Sequence, residues 1–214
     1  MRRHIVLPMF VALSLCVLNG QAAAATVELD AGDISKGAAI HADAPRLSWA
    51  GNARGNGHFD AGNLPITSKT SALLRYDLSR IPDDMKIISA RWTLPTRASS
   101  GVKLHVWRIL AEWGPGVCHR YRTTQPEPVP WHTPGAGAIG IDRTIQPTGA
   151  IQVDEESEKV VVNVTRDVAM WHSGAQPNHG WLLSVEQDEA HVTVESPLHR
   201  GADAWVLRVT YEPK

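Results

Sequence analysis

A chain of 214 residues with 21 Lys and Arg against 22 Asp and Glu carries a formal charge of −1, which gives no electrostatic case for binding nucleic acid. Cys16 and Cys118 are its two cysteines. Cys16 falls in a predicted leader, so no intramolecular disulfide and no cysteine-based zinc site is expected.

Met1 to Ala25 reads as a secretory signal peptide. Arg2, Arg3 and His4 form a basic start, Ile5 to Leu18 an apolar run, and Gln21-Ala22-Ala23-Ala24-Ala25 offers A-x-A cleavage sites. The run is shorter than the ~20 residues a spanning helix needs, and no later segment approaches that length. The sequence therefore predicts a secreted or periplasmic protein with no membrane span. Leu15 before Cys16, where a small residue would be needed, speaks against a lipid anchor. Residues 26–214 suit one β-sandwich domain. Stability has to come from burial, and eight tryptophans make that practicable, since each can bury on the order of 150–250 Å².

Thr26–Glu28 and Ala38–His41 read as short strands, and 50–65 (AGNARGNGHFDAGNLP) as a long Gly/Asn-rich loop. Next comes the clearest pattern of the chain. Leu74, Tyr76 and Leu78 alternate with Arg75 and Asp77, and Ile88, Ala90, Trp92 and Leu94 alternate with Ser89, Arg91 and Thr93. A period of two gives each segment one apolar and one polar face. With Ile81-Pro82-Asp83-Asp84 as the turn, the stretch predicts two antiparallel strands over a core. Val102–Ile109 is a further strand, with Val102, Leu104 and Val106 on one face and Lys103, His105 and Trp107 on the other. The segment 114–149 holds Pro115, Pro126, Pro128, Pro130, Pro134 and Pro147. Irregular segments of this length are usually functional or disordered. Tyr121, Trp131 and His132 within it favour an ordered excursion at one end of the sandwich.

Val160–Val164 reads as a strand, followed by a short helix near 165–173. Thr165 is its predicted N-cap, Asp167 lies in the first turn, and Gly174 stands just past the end. Val164, Val168 and Trp171 share the side that docks. Gly180–Glu186, His191–Glu195 and Ala204–Glu212 close the sheet. The predicted fold class is all-β: an antiparallel two-sheet β-sandwich of jelly-roll type with one short helix.

The order of several motifs resembles the DNRLRE domain family, also catalogued as carbohydrate-binding module family 96 and related to disaggregatase repeats. The resemblance rests on LLRYDLSRIP…IISARWTL, on WGPG at Trp113–Gly116 and VPWHTP at Val129–Pro134, and on VVNVTRDVAMW at Val161–Trp171. NHGWLL at Asn178–Leu183 and the closing AWVLRVTYE complete it. Tyr76 stands where the family has Phe, and Trp92 where an aliphatic residue is commoner. The likeness runs from Val27 to Glu212. It implies a sandwich that binds carbohydrate, with Trp113, Trp131 and Pro134 as scaffold. It also allows a structural Ca²⁺ near Asp30–Asp33, although no Asp-x-Asp-x-Asp-Gly loop occurs. Neither His119 with His132 nor Asp30 with Asp33 and Asp60 shows a recognisable ligand spacing, and no other cofactor is expected.

Two groups of residues are candidates for binding. The first is the polar face of the central strands: Arg75, Arg91, Lys103, His105 and Trp107, which form one patch if strands adjacent in sequence pair. Guanidinium forks suit the carboxylates of a uronic-acid polymer, and an indole offers a flat apolar face to a sugar ring. The plainer alternative is a solvated face in which Arg75 pairs with Asp77 or Glu212. The second group is Arg120, Tyr121 and Arg122, which belong to no motif of the resemblance. Catalysis has little support. Glu112, Glu127, Glu155, Glu156 and Glu158 show no informative spacing, and there is no G-x-S-x-G, P-loop or H-E-x-x-H. Tyr121 with His132 would suit a lyase dyad, but the strand signatures of such lyases are missing. Asn163-Val164-Thr165 matches a glycosylation sequon inside a predicted strand, where it carries no meaning. The expected function is an exported non-catalytic carbohydrate-binding module for an acidic (uronic-acid) polysaccharide. A surface or structural domain with a protein partner, and a small jelly-roll polysaccharide lyase, are the alternatives.

Overall fold

Alternating apolar residues build two antiparallel sheets around one interior. The computed structural model describes residues 23–51, 63–98, 101–186, 191–195 and 205–214. Most of the predicted leader, the centre of the Gly/Asn-rich loop with Asp60, and Ala204 lie outside the described residues. The first sheet contains β1 (Ala25–Leu29), β4 (Asn63–Thr67), β6 (Met85–Ala98), β11 (Lys159–Asn163), β13 (His191–Glu195) and β14 (Val206–Pro213). Its order is β1-β14-β6-β13-β4, with β11 also paired to β6. The second contains β2 (Ile34–His41), β3 (Trp49–Gly51), β5 (Thr70–Tyr76), β7 (Val102–Arg108), β10 (Gly149–Val153) and β12 (Trp181–Val185), in the order β10-β7-β12-β5-β2-β3. The molecule is thus an all-β two-sheet sandwich, with one helix, α1 (Thr165–His172), packed against its interior.

Leu74, Trp92 and Val106 meet in that interior as the alternation requires, and Leu29 and Val209, from paired strands at the two ends of the chain, join them. Its centre is aromatic. Trp92 stacks on Trp181 at 4.9 Å, Trp171 lies 4.6 Å from Trp181, and Trp205 lies 5.9 Å from Trp92. Tyr76 meets Trp92 and Trp181 edge-on, a favoured arrangement because ring edges and faces carry opposite partial charge. Its hydroxyl donates to the Trp205 carbonyl and accepts the indole N–H of Trp92 at 3.1 Å. Burial pushes the phenol far above its ordinary range. Trp205 has φ +62, a conformation disfavoured for a bulky side chain, and the Tyr76 bond holds its peptide in place.

Three expectations need correction. The strands either side of Ile81–Asp84 do not pair: β5 lies in the second sheet and β6 in the first. The turn, closed by Ile81 N–H to Leu78 C=O at 2.9 Å and Met85 N–H to Pro82 C=O at 3.1 Å, carries the chain across the core. Alternation tells which face is buried, and that face is the same for paired strands and for opposed ones. Thr165 is not the N-cap of α1. Val164 occupies that position, while the Thr165 hydroxyl accepts the Ala90 N–H at 2.9 Å and so ties the helix to β6. Gly174, at φ +72, does end the helix, donating to Trp171 C=O at 3.1 Å.

The third correction concerns the excursion. It does not sit at one end of the sandwich but lies over the outer face of the second sheet. Ala38, Ile40, Leu73, Trp107 and Leu182 point away from the main interior and form a second buried cluster with Ile109 and Trp113 just before the excursion and Val117, Trp131 and Ala136 within it. Within it, β8 (Tyr121–Thr123) and β9 (Val129–Pro130) form a small two-stranded sheet. The reason is local. Ala38-Ala39-Ile40, Leu73-Leu74 and Leu182-Leu183 are apolar on consecutive positions, so β2, β5 and β12 present apolar residues on both faces.

Tyr76→Phe keeps the ring but leaves the Trp92 indole N–H and the Trp205 carbonyl without their shared partner. A buried polar group stripped of its partner costs about 1–3 kcal/mol. Urea unfolding is expected to show that loss with an unchanged m-value.

Candidate functional site

The loop layer is held by one buried carboxylate. Asp142 accepts the backbone N–H of His132 at 3.1 Å, of Thr133 at 3.0 Å and of Ala138 at 3.1 Å, while its own carbonyl accepts the N–H of Leu110 at 2.8 Å. The Trp131 indole donates to Cys118 C=O at 3.0 Å, and that of Trp113 to His179 C=O at 2.8 Å. Cys118 is fully buried beneath the layer and unpaired.

This layer redistributes the predicted site residues. Trp107 is buried: its indole donates to Ser184 Oγ at 3.0 Å, and the Arg143 guanidinium lies 4.1 Å above its ring. No sugar can stack there. His105 lies stacked beside Trp107 at 5.7 Å, mostly buried, and Lys103 alone of the β7 residues is freely exposed. Arg91 belongs to β6 and so faces outward from the opposite sheet, in register with Arg208. There Glu28, Thr93, Lys159 and Val161 join it around a shallow pocket of about 370 Å³, and Arg208 Nε donates to Glu28 Oε1 at 2.8 Å. The patch Arg91–Lys103–His105–Trp107 therefore does not exist as one surface. Arg75 donates from Nε to Ser35 Oγ at 2.9 Å, whereas Asp77 accepts the Ser79 N–H and Glu212 lies near Lys86.

In the excursion, Arg120 is exposed with its guanidinium 5.6 Å from the Tyr121 ring. Arg122 leans back and donates from Nη1 to Glu112 C=O at 2.7 Å. Among the described residues no hydrogen bond joins Tyr121 to His132. The Asp30–Asp33 carboxylates serve their own turn: Asp30 Oδ1 accepts the Gly32 N–H at 2.7 Å, Asp33 Oδ2 accepts the Asp30 N–H at 2.9 Å, and Arg80 binds Asp33 at 2.8 Å. Among the described residues no group of three or more His, Cys, Asp and Glu is placed to hold a metal ion. His119, packed against Gly135, has its imidazole pulled down by burial.

A larger concavity than the pocket at Arg91 is one the sequence reading missed. A groove of about 1000 Å³ runs between the end of β7, the segment Gly140–Thr148 and α1. Arg108, Thr144, Gln146, Thr148, Asn163 and Arg166 supply its polar wall, and Leu110, Ile145, Pro147 and Met170 its apolar one. Asp167 organises it from below. This buried carboxylate accepts the Trp181 indole N–H at 2.8 Å and the Thr148 hydroxyl at 2.5 Å, and its Oδ1 lies 3.2 Å from Arg108 Nε. That last contact is an ion pair without the alignment of a hydrogen bond, and the Thr144 hydroxyl is buried with no hydrogen-bond partner among the described residues. Native structures rarely leave such groups unmatched. The groove thus offers two guanidiniums, hydroxyls, amides and an aliphatic wall, the groups that hold a hydroxylated anion. A signal was present in Thr144-Ile145-Gln146-Pro147-Thr148, whose polar residues had no role in the predicted fold.

No protein-family model matches this chain, and no curated protein matches it. Among the described residues, no helix is long and apolar enough to cross a membrane.

Asp142→Asn replaces one acceptor oxygen by an N–H₂ facing backbone donors. The cost is expected at about 1–3 kcal/mol, and hydrogen exchange should accelerate at Thr133 and Ala138 well before the strand amides of β5 and β12.

Proposed function

We propose that this protein is a non-catalytic binder of an acidic, uronic-acid polysaccharide, which it takes up in the groove between Arg108 and Arg166. One observation carries the reading: a guanidinium anchored by the buried Asp167 lines the same groove as a second, exposed one, with hydroxyl and amide groups around them. Arg forks pair with carboxylates in two parallel bonds. Gln146 and Asn163 match sugar hydroxyls, and Ile145, Pro147 and Met170 match the C–H faces of the rings. The resemblance to carbohydrate-binding modules points the same way, now with a different site from the sheet face.

Arg166→Ala tests this without disturbing the core, because Arg166 is exposed on α1. Losing one charge-assisted contact is expected to weaken binding about tenfold in affinity electrophoresis with uronic-acid polymers, at an unchanged melting temperature. Undiminished retention would remove the site from the groove. Arg108 is the wrong residue to truncate, since Asp167 would be left as a buried, uncompensated charge.

A protein-interaction role is the second reading, favoured by one observation. Ile145, which lines the groove, is 74% exposed, and Ile139 and Ile141, on either side of the groove-lining Gly140, are 55% and 53% exposed; clustered exposed apolar residues mark contact surfaces. If it holds, light scattering shows an oligomer that Ile141→Ser with Ile145→Ser disperses. A monomer at all concentrations, with no partner captured through those residues, argues against it.

A further inference from the structure

We propose that the outer face of the first sheet carries a second anion-binding site, in the shallow pocket between Arg91, Arg208 and Lys159, and that it takes a carboxylate of a uronic-acid chain. The class of ligand rests on the groove reading, while the site rests on its own geometry.

Alternation builds this site across four strands. Leu29, Leu207, Trp92 and Val162 face the core, so the residues next to them along each strand face outward. Glu28 stands opposite Arg208, Arg208 opposite Arg91, and Arg91 opposite Asn163. One outward row therefore crosses β1, β14, β6 and β11, its neighbours about 4.5–5.5 Å apart at Cβ. Two residues along, Val206, Thr93 and Val161 form a second row on the same face, and Val161 is 50% exposed. Lys159, two residues further along β11, lines the pocket of about 370 Å³ together with both rows.

Charge in the first row does not balance. Like charges directly opposite each other on one face of a sheet are destabilising, yet Arg91 and Arg208 stand in that relation. Glu28 is the acidic residue of the pocket, and Arg208 engages it, donating from Nε at 2.8 Å and from Nη2 at 2.5 Å to Glu28 Oε1. Among the described residues neither Arg91 nor Lys159 has a side-chain hydrogen bond or an ion pair. Both are exposed, so neither packs into the core, and a scaffold role gives no reason to set Arg91 against Arg208. A carboxylate between them replaces repulsion with two attractions. Guanidinium forks take such a group in parallel bonds, and the apolar second row offers a surface to the C–H face of the sugar that carries it.

An NMR titration with a uronic-acid disaccharide tests the site. The native protein is expected to show two sets of shifted amides, one at Arg91, Arg208 and Lys159 and one at Gly140, Thr148 and Arg166. Arg91→Gln should weaken the first response about tenfold and leave the second unchanged. Arg91→Lys should keep part of the first response, and Arg166→Ala should weaken only the second. Without ligand, Arg91→Gln should leave the melting temperature unchanged or raise it, since it removes repulsion, whereas a scaffold role for Arg91 requires a fall. If Arg91→Gln fails to fold, Lys159→Gln takes its place with the same binding expectation. A first set that is missing from the native protein, or undiminished in both Arg91→Gln and Lys159→Gln, overturns the second site, and the groove stands if Arg166→Ala still weakens its own set. A first set that behaves as expected beside an absent groove set leaves this site standing and overturns the groove. Silence at both sets overturns both.

Discussion

The second sheet is apolar on both faces, and the rest of the architecture answers to that. Leu74 and Leu183 fill the sandwich, while their neighbours Leu73 and Leu182 face the other way, with Ile40 and Trp107 beside them. Such a face exposed to water would be an association surface. Trp113 and the excursion's Val117 and Trp131 cover it, and the Asp142 carboxylate gives the covering segment a fixed shape that its many prolines and few strand bonds do not.

The proposed groove lies where that layer ends. There Arg108, at the end of β7, is mostly buried, lines the groove and pairs with Asp167. Asp167 belongs to α1, Thr148 to the excursion and Trp181 to the sheet, so a single carboxylate joins the three parts that form the groove. In the proposed reading, rigid support of this kind would let Arg108 pair with a planar anion without losing much freedom on binding.

What could be read from the chain was decided by the range of the interactions. The strands of β6, β7, β12 and β14, the docking side of α1 and its stop at Gly174 follow from neighbours a few residues apart, and they were legible. The partner of each strand was not, because Arg91 and Lys103 show the same outward phase whether their strands share a sheet or oppose each other. Trp107 was placed on the correct face and misjudged in its role. The doubled leucines at 73–74 and 182–183 were the clue that its face is also covered. Arg108 and Asp167 are far apart in sequence, and nothing local in either segment announces the other. Arg122 lay in the segment thought most specific to this protein, yet its backward lean onto the sheet end depends on the full fold.

The pairing of β1 with β14, from Ala25 opposite Tyr211 to Leu29 opposite Leu207, has a kinetic side. Non-local contacts of this span make loop closure expensive before any reward arrives, so such topologies acquire their native state slowly. The opening strand has no neighbour until nearly the whole chain has been delivered. Its unsatisfied edge is therefore exposed until β14 has been made.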